Sequence, residues 1–343
     1  MHMIYFDNDY MVGAHPNVMK RLNETNGLHT VGYGRDEFTK TAEQLILSKC
    51  DLYNGAVYFL EGGTQANAVV IDRLLDHNDG VLATDTAHIN VHEAGAIEAN
   101  GHKIITLPNH DGKLSASDIR EYIRNFYNDD THRYMVRPAM VYLSFPTELG
   151  TVYTRDELIE ISSLCKEAEI PLYIDGARLA YGLAAEGGNV LLSDIAALSD
   201  VFCIGGTKCG ALFGEAIVTR RPELLPRFDS LIKLHGATLA KGRLLGVQFT
   251  QLFTDNLYLS IGKHAVSLAM RLKSGFINRG YQLYIDSPTN QQFVILPNDK
   301  IEQLRAIASF EFWGPKGEKE TPVRFVTDWS ITNEDVDTLL SAI

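Results

Sequence analysis

Short apolar runs alternate with amphipathic stretches through most of the chain. Ala56-Val57-Tyr58-Phe59-Leu60 is an apolar run of strand length, closed by Gly62-Gly63. A helical pattern follows, with Val70 and Leu74, and Ile71 and Leu75, spaced by four so that each pair shares a helix face. Gly80 to Thr84 and Lys103 to Leu107 predict two further strands. Ser117 is placed to cap a helix bearing Ile119, Tyr122, Ile123 and Phe126, and Met140 to Ser144 predicts the next strand. Thr154-x-x-Glu157 predicts a capping box, in which hydroxyl and carboxylate each accept from a free backbone N–H; Leu158, Ile161, Cys165 and Ala168 mark that helix's inner side. Leu172-Tyr173-Ile174 predicts a strand ending at Asp175. Val201 to Ile204 predicts one ending in Gly205-Gly206-Thr207-Lys208, and Glu215 to Thr219 one more.

Such repetition predicts an α/β fold, a mostly parallel sheet with helices on both faces. Ligands in these sheets sit beyond the carboxyl ends of the strands, where Asp175 and Lys208 fall. Beyond about residue 245 the rhythm changes to helical stretches with isolated strand candidates, Phe293 to Leu296 and Val323 to Val326. A chain of 343 residues exceeds what one core usually serves. We therefore expect a large domain over 1–245, including the N-terminal segment, and a smaller α+β domain over 246–343. Gly314 to Glu320 predicts an exposed loop, and Thr332-x-x-Asp335 with Val336, Leu339, Leu340 and Ile343 a closing amphipathic helix.

Composition narrows the partners. The net charge of -12 makes phosphate backbones and anionic lipid poor ones, while leaving a small anion free to enter a local pocket. The cysteines Cys50, Cys165, Cys203 and Cys209 form no C-x-x-C pair, which predicts a reducing, cytoplasmic setting. The start, Met1 to Asp9, has no basic region followed by an apolar one, so no signal peptide is expected, and no apolar run is long enough to span a bilayer.

Three short segments carry chemistry. Glu61-Gly62-Gly63-Thr64-Gln65-Ala66-Asn67 follows a strand and opens a helix. Glycines admit a ligand close to the backbone, free N–H groups at the helix start attract an anion, and Thr64 adds a hydroxyl, which together suit a phosphate. Asp175, in Ile174-Asp175-Gly176-Ala177-Arg178, stands where a carboxylate can face a protonated ring nitrogen, the pairing that pyridoxal-phosphate catalysis needs. Lys208, among small residues, has room for a cofactor against its amine, and Thr207 offers another phosphate contact. Singly, each has an ordinary reading as a tight turn, a capping aspartate or a surface lysine. The ordered set outweighs those readings.

The ordered set resembles the fold-type-I pyridoxal 5'-phosphate enzymes, of aspartate-aminotransferase type, and more narrowly the threonine aldolase / aromatic amino acid β-eliminating lyase family. Asp85-Thr86-Ala87-His88 and Tyr33-Gly34-Arg35-Asp36 add to it, and the resemblance covers nearly the whole chain. It implies Lys208 as the Schiff-base lysine, Asp175 on the pyridine nitrogen, Gly62, Gly63, Thr64 and Thr207 around the phosphate, and His88 stacked on the ring. Arg178 is implied near the ring's phenolic oxygen or the substrate, and Arg324 on the substrate carboxylate, with Asp9 and Tyr33 also on the substrate side. Lys241 or Arg243 is implied to reach a neighbouring subunit's phosphate in a homodimer or homotetramer. His88 and His92 stand four apart, yet no third metal ligand accompanies them, so no metal is expected. His92 is open between a base facing the substrate side chain and a structural histidine.

One departure stands out. Where many threonine aldolases carry a loop histidine, this chain has Leu143-Ser144-Phe145-Pro146-Thr147-Glu148, with Phe145 in the histidine's place, which predicts an altered, more apolar pocket. The activity implied is cleavage of Cα–Cβ in L-threonine or a related β-hydroxy-α-amino acid, giving glycine and an aldehyde. β-Elimination of the tryptophanase or tyrosine phenol-lyase kind uses the same residues and is the alternative. A transaminase, a desulfurase or a catalytically dead binding protein follows less well.

Overall fold

The structure is a computed structural model describing residues 3–343. Met1 and His2, at the head of the stretch read for a signal peptide, lie outside the described residues. A short strand, β1 (Ile4–Tyr5), comes first. The main sheet then uses β2 (Ala56–Leu60), β3 (Asp79–Thr84), β4 (Lys103–Leu107), β5 (Arg137–Ser144), β6 (Leu172–Asp175), β7 (Val201–Gly205) and β8 (Glu215–Thr219). Its order is β2-β8-β7-β6-β5-β3-β4. The pairs among β3 to β7 are parallel, and β8 runs antiparallel to both β2 and β7. The fold is thus the α/β class expected, with a largely parallel central sheet. β3, β6, β7 and β8 are buried along their whole length, as strands covered on both faces must be.

A second, four-stranded sheet contains β9 (Leu283–Ile285), β10 (Gln291–Pro297), β12 (Glu311–Phe312) and β13 (Glu320–Val326). The remaining strand, β11 (Ala308–Ser309), pairs in parallel with β1. The N-terminal segment therefore packs on the second sheet, with Ile4 and Phe6 in the same core as Phe276, Val323 and Phe325. The main sheet separates two other cores, and the larger draws residues from as far along as Val266.

Local signals explain several boundaries. Thr154 and Glu157 form the expected capping box, as do Thr332 and Asp335. Ser115, not Ser117, caps the Ala116–Asn128 helix: its oxygen accepts from Asp118 N–H, while Ser117 lies in the first turn. Both serines satisfy a capping spacing in the sequence, and only the extended backbone at Ser115 fits the role.

Candidate active site

Asp175 ends β6, and Lys208 lies three residues beyond the end of β7, its neighbour in the sheet. The two turns that follow pack against each other. A Cβ at Gly176 would come within 2.1 Å of the Cys203 carbonyl oxygen, and one at Gly205 within 2.2 Å of that of Ala177. Only glycine permits this approach, which brings Asp175 and Lys208 to one cavity of about 210 Å³. Gly62, Gly63, Thr64, His88, Arg178 and Thr207 line the same cavity.

The Gly63–Leu74 helix points its N-terminus into this cavity. Its first N–H groups have no carbonyl one turn back, and Gly62 brings no side chain to cap them. A Cβ built on Gly62 or Gly63 would meet nothing within 4 Å, so the space over the turn is open. Unbonded N–H groups beside an open space make an anion seat.

Asp175 is 6% exposed and held on both oxygens. Oδ1 accepts from Ala177 N–H at 2.9 Å, while Oδ2 accepts from Tyr142 O–H at 2.7 Å and Asn67 Nδ2 at 2.8 Å. Asn67 also donates to Glu93 Oε1 at 2.8 Å and accepts from Tyr173 O–H at 2.8 Å. Glu93 Oε1 lies 2.7 Å from His88 Nδ1. His88 thus joins Asp175 through Glu93 and Asn67. Burial pushes the Glu93 carboxyl up, and its second oxygen is buried without a partner. The His88 backbone N–H donates to Glu148 Oε1 at 2.9 Å, and burial raises that carboxyl too.

Lys208 is fixed from behind, its carbonyl accepting from Tyr181 O–H at 2.5 Å. Burial first, then the Arg178 charge, lowers the pKa of its amine. Arg178 spends two N–H groups on Asp9, at 2.7 and 2.9 Å, and Asp9 also accepts from Asn290. Burial alone would raise Asp9, but Arg178 and Lys208 outweigh it and hold the carboxyl below its ordinary value.

The other residues singled out in the sequence surround the cavity at greater distance. His92 ends the turn His88–Val91, with its ring centroid 5.6 Å from that of His88. Burial, then the charges of His88 and Arg324, lowers its pKa. Arg324, on β13, pairs with Glu311, donates to Gln291 Oε1 at 3.0 Å, and lies 5.2 Å from the Trp313 ring centroid. Asp9 turns to Arg178 rather than to the cavity. Tyr33 is exposed, with its N–H on the Ala240 carbonyl at 3.0 Å, so it shares a surface with Lys241 outside the cavity. Arg243 donates to the Thr25 carbonyl of its own chain.

The altered-pocket expectation is corrected. Phe145 is 1% exposed and belongs to the core, against Gly182, while Ser144, Pro146, Thr147 and Glu148 line the cavity. Asn67, Glu93, Tyr142, Glu148 and Glu215 complete the site without having been singled out. Asn67 and Glu148 sit inside quoted motifs, and nothing in a linear pattern marks the rest.

The fold and this site define an α/β enzyme class whose ligand lies across adjacent strand ends. A beta-eliminating lyase family model matches residues 12–292, and the chain belongs to that family. A low specificity L-threonine aldolase of Pseudomonas aeruginosa is 32% identical, across 98% of this chain and 95% of its own. A solved threonine aldolase structure of Leishmania major has a TM-score of 0.95 at 39% identity, covering 98% of both chains. Aspartate aminotransferase of Thermus thermophilus shares the fold, with a TM-score of 0.71 at 12% identity, over 99% of this chain and 90% of that one.

Proposed function

We propose that this chain is a pyridoxal 5'-phosphate-dependent carbon–carbon lyase that cleaves Cα–Cβ of L-threonine and related β-hydroxy-α-amino acids to glycine and an aldehyde. The observation that carries the reading is convergence on one cavity of Lys208, Asp175 and the open N-terminal turn of the Gly63–Leu74 helix. The donor set fits the cofactor: the open turn and Thr207 suit its phosphate, Asp175 its ring nitrogen, His88 its ring face and Lys208 its carbonyl carbon. Bound there, the cofactor supplies an electron sink for the bond being broken.

The chain's own groups supply the rest. Burial, then the Arg178 charge, lowers the Lys208 pKa and so favours the amine form that can bind carbon. Tyr142 and Asn67 fix the Asp175 carboxyl in place by donating to its Oδ2. Arg324 leaves Glu311 to grip the substrate carboxylate with two parallel N–H groups, a match of planar fork to carboxylate. Arg178, fixed by Asp9, lines the cavity beside that carboxylate. His92, kept neutral by burial, takes the β-hydroxyl proton.

The division at 245/246 belongs to the same proposal, with 246–343 as the small domain that brings Arg324 to the site. So does a homodimer or homotetramer, in which the exposed Tyr10, Met11, Val12, Val31 and Tyr33 meet another copy and Lys241 reaches its phosphate seat. Among the described residues no helix is long and apolar enough to cross a membrane. We place the protein in the cytoplasm, where its four free, buried cysteines stay reduced.

Incubation of the cofactor-loaded protein with L-threonine, L-allo-threonine and L-phenylserine tests the reaction. Glycine with the matching aldehyde is the expected result. Pyruvate and ammonia from tryptophan, tyrosine, cysteine or serine, with no glycine, would move the chain to β-elimination.

A further inference from the structure

Glu215 opens β8 at the cavity wall, is 3% exposed, and has no part in the roles above. Two pairings fix its place: it is the partner of Leu60 on β2 and of Gly205 on β7. It therefore stands between the two turns that begin there, the open phosphate turn and the turn carrying Thr207 and Lys208. Its Oε2 lies 3.8 Å from Cys203 Sγ, and no salt bridge reaches it among the described residues.

The groups around it supply little positive charge. Cys203 of β7 and Cys209 of the next turn are thiols that burial pushes up, and hence neutral. Tyr173 of β6 and Tyr258 of the Leu257–Asn278 helix are buried phenols, likewise neutral. The Glu61 and Asp175 carboxyls line the same wall, and the basic group that acts on Glu215 is the Lys208 amine. Burial pushes the Glu215 carboxyl up to about 7, against the pull of Lys208 and the Thr207 hydroxyl. Across the whole cavity, Glu61, Glu93, Glu148, Asp175 and Glu215 stand against Lys208 and Arg178, and Asp9 already matches Arg178. A phosphate entering this wall brings roughly 1.5 to 2 further negative charges. An ionised carboxylate beside it repels it, whereas a protonated one becomes an O–H donor.

We propose that Glu215 takes up a proton from solvent when a phosphate occupies the seat at the N-terminus of the Gly63–Leu74 helix, so that binding of the phosphate-bearing cofactor consumes one proton at this residue. The inference rests on the cofactor reading above. Its sign follows from linkage. Below the pH at which the empty site ionises, Glu215 already holds its proton and binding has no pH dependence from it. Above that pH the proton must be supplied, and affinity falls by about tenfold per pH unit.

The test uses the full-length apo protein and 4'-deoxypyridoxine 5'-phosphate, which lacks the aldehyde and so leaves Lys208 unmodified. Calorimetry at pH 8 in buffers of different ionisation enthalpy counts protons taken up by the wild type and by Glu215→Gln. We expect the wild type to take up about one proton more, and its affinity to fall about tenfold more than the variant's from pH 8 to 9. Equal proton counts with parallel affinities would overturn the inference and leave the cofactor site standing, with the proton at Lys208 or elsewhere. No binding by either protein at any pH would overturn the cofactor reading and the inference together. An infrared difference spectrum of the wild type alone, with and without ligand at pH 8, decides the matter should the variant fail to fold. Gain of a protonated-carboxyl band supports the inference, and its absence overturns it.

Discussion

Replacing Phe145 by histidine tells a core position from a cavity position in this loop. By resemblance the change restores a residue that many threonine aldolases carry in this loop, and activity should rise. In this structure the ring at 145 is 1% exposed and packed against Gly182, where even a Cβ would come within 2.8 Å of it. Imidazole there exchanges apolar packing for a polar group with no partner. Lost burial costs about 1–2 kcal/mol and the unpartnered polar group about 1–3 kcal/mol more, so roughly 3 kcal/mol in all. Unfolding entropy near 2.1 cal/mol/K per residue gives about 0.7 kcal/mol/K for this chain, which makes the shift in Tm about 4 °C. Scanning calorimetry at fixed cofactor concentration reads the shift, and glycine release from L-threonine reads kcat/KM. A variant as stable as its parent, with faster turnover and a new pH dependence near neutrality, would instead place position 145 on the cavity.

Other consequences follow from the same geometry. Gly63→Ala adds a methyl group to open space, so apo stability should hold or rise by about 0.4–1 kcal/mol, while affinity for cofactor, read by absorbance titration, falls at least about tenfold. Tyr142→Phe removes one donor from Asp175, a loss of about 1.5–3 kcal/mol that should weaken cofactor binding by roughly ten- to a hundredfold. Asp9→Ala leaves Arg178 buried without its partner, and urea unfolding should show a loss of about 3–5 kcal/mol. The apo protein should lose stability as pH rises from 4.5 toward 7, because Glu215 holds its proton longer when folded than when unfolded. That contribution is full below 4.5, and its loss amounts to about 3 kcal/mol by neutrality. It should vanish from the unfolding curves of Glu215→Gln.

The strands of the main sheet were legible because each is a short, largely apolar run, and β2, β6 and β7 lead into residues that line the site: Glu61, Asp175 and the turn with Thr207 and Lys208. Asp175 and Lys208 stood out for the same reason: a charged residue at the end of a buried strand points beyond the sheet. The network between them did not stand out. Asn67 reaches Asp175 across 108 residues and Arg178 reaches Asp9 across 169, and no local period encodes pairings at such separation. Phe145 misled because a motif position says which residue occupies a loop, not which way its side chain turns. The pairing of Ile4–Tyr5 with Ala308–Ser309 was equally hidden, since a strand of two residues carries no periodicity.

Borohydride reduction of the cofactor-loaded protein, followed by peptide mapping, identifies the lysine that holds the cofactor. One modified peptide, carrying the reduced cofactor on Lys208, is expected, and none after Lys208→Ala. A modification on Lys241 or another lysine, or an active protein in which nothing is fixed, would contradict Lys208 as that lysine.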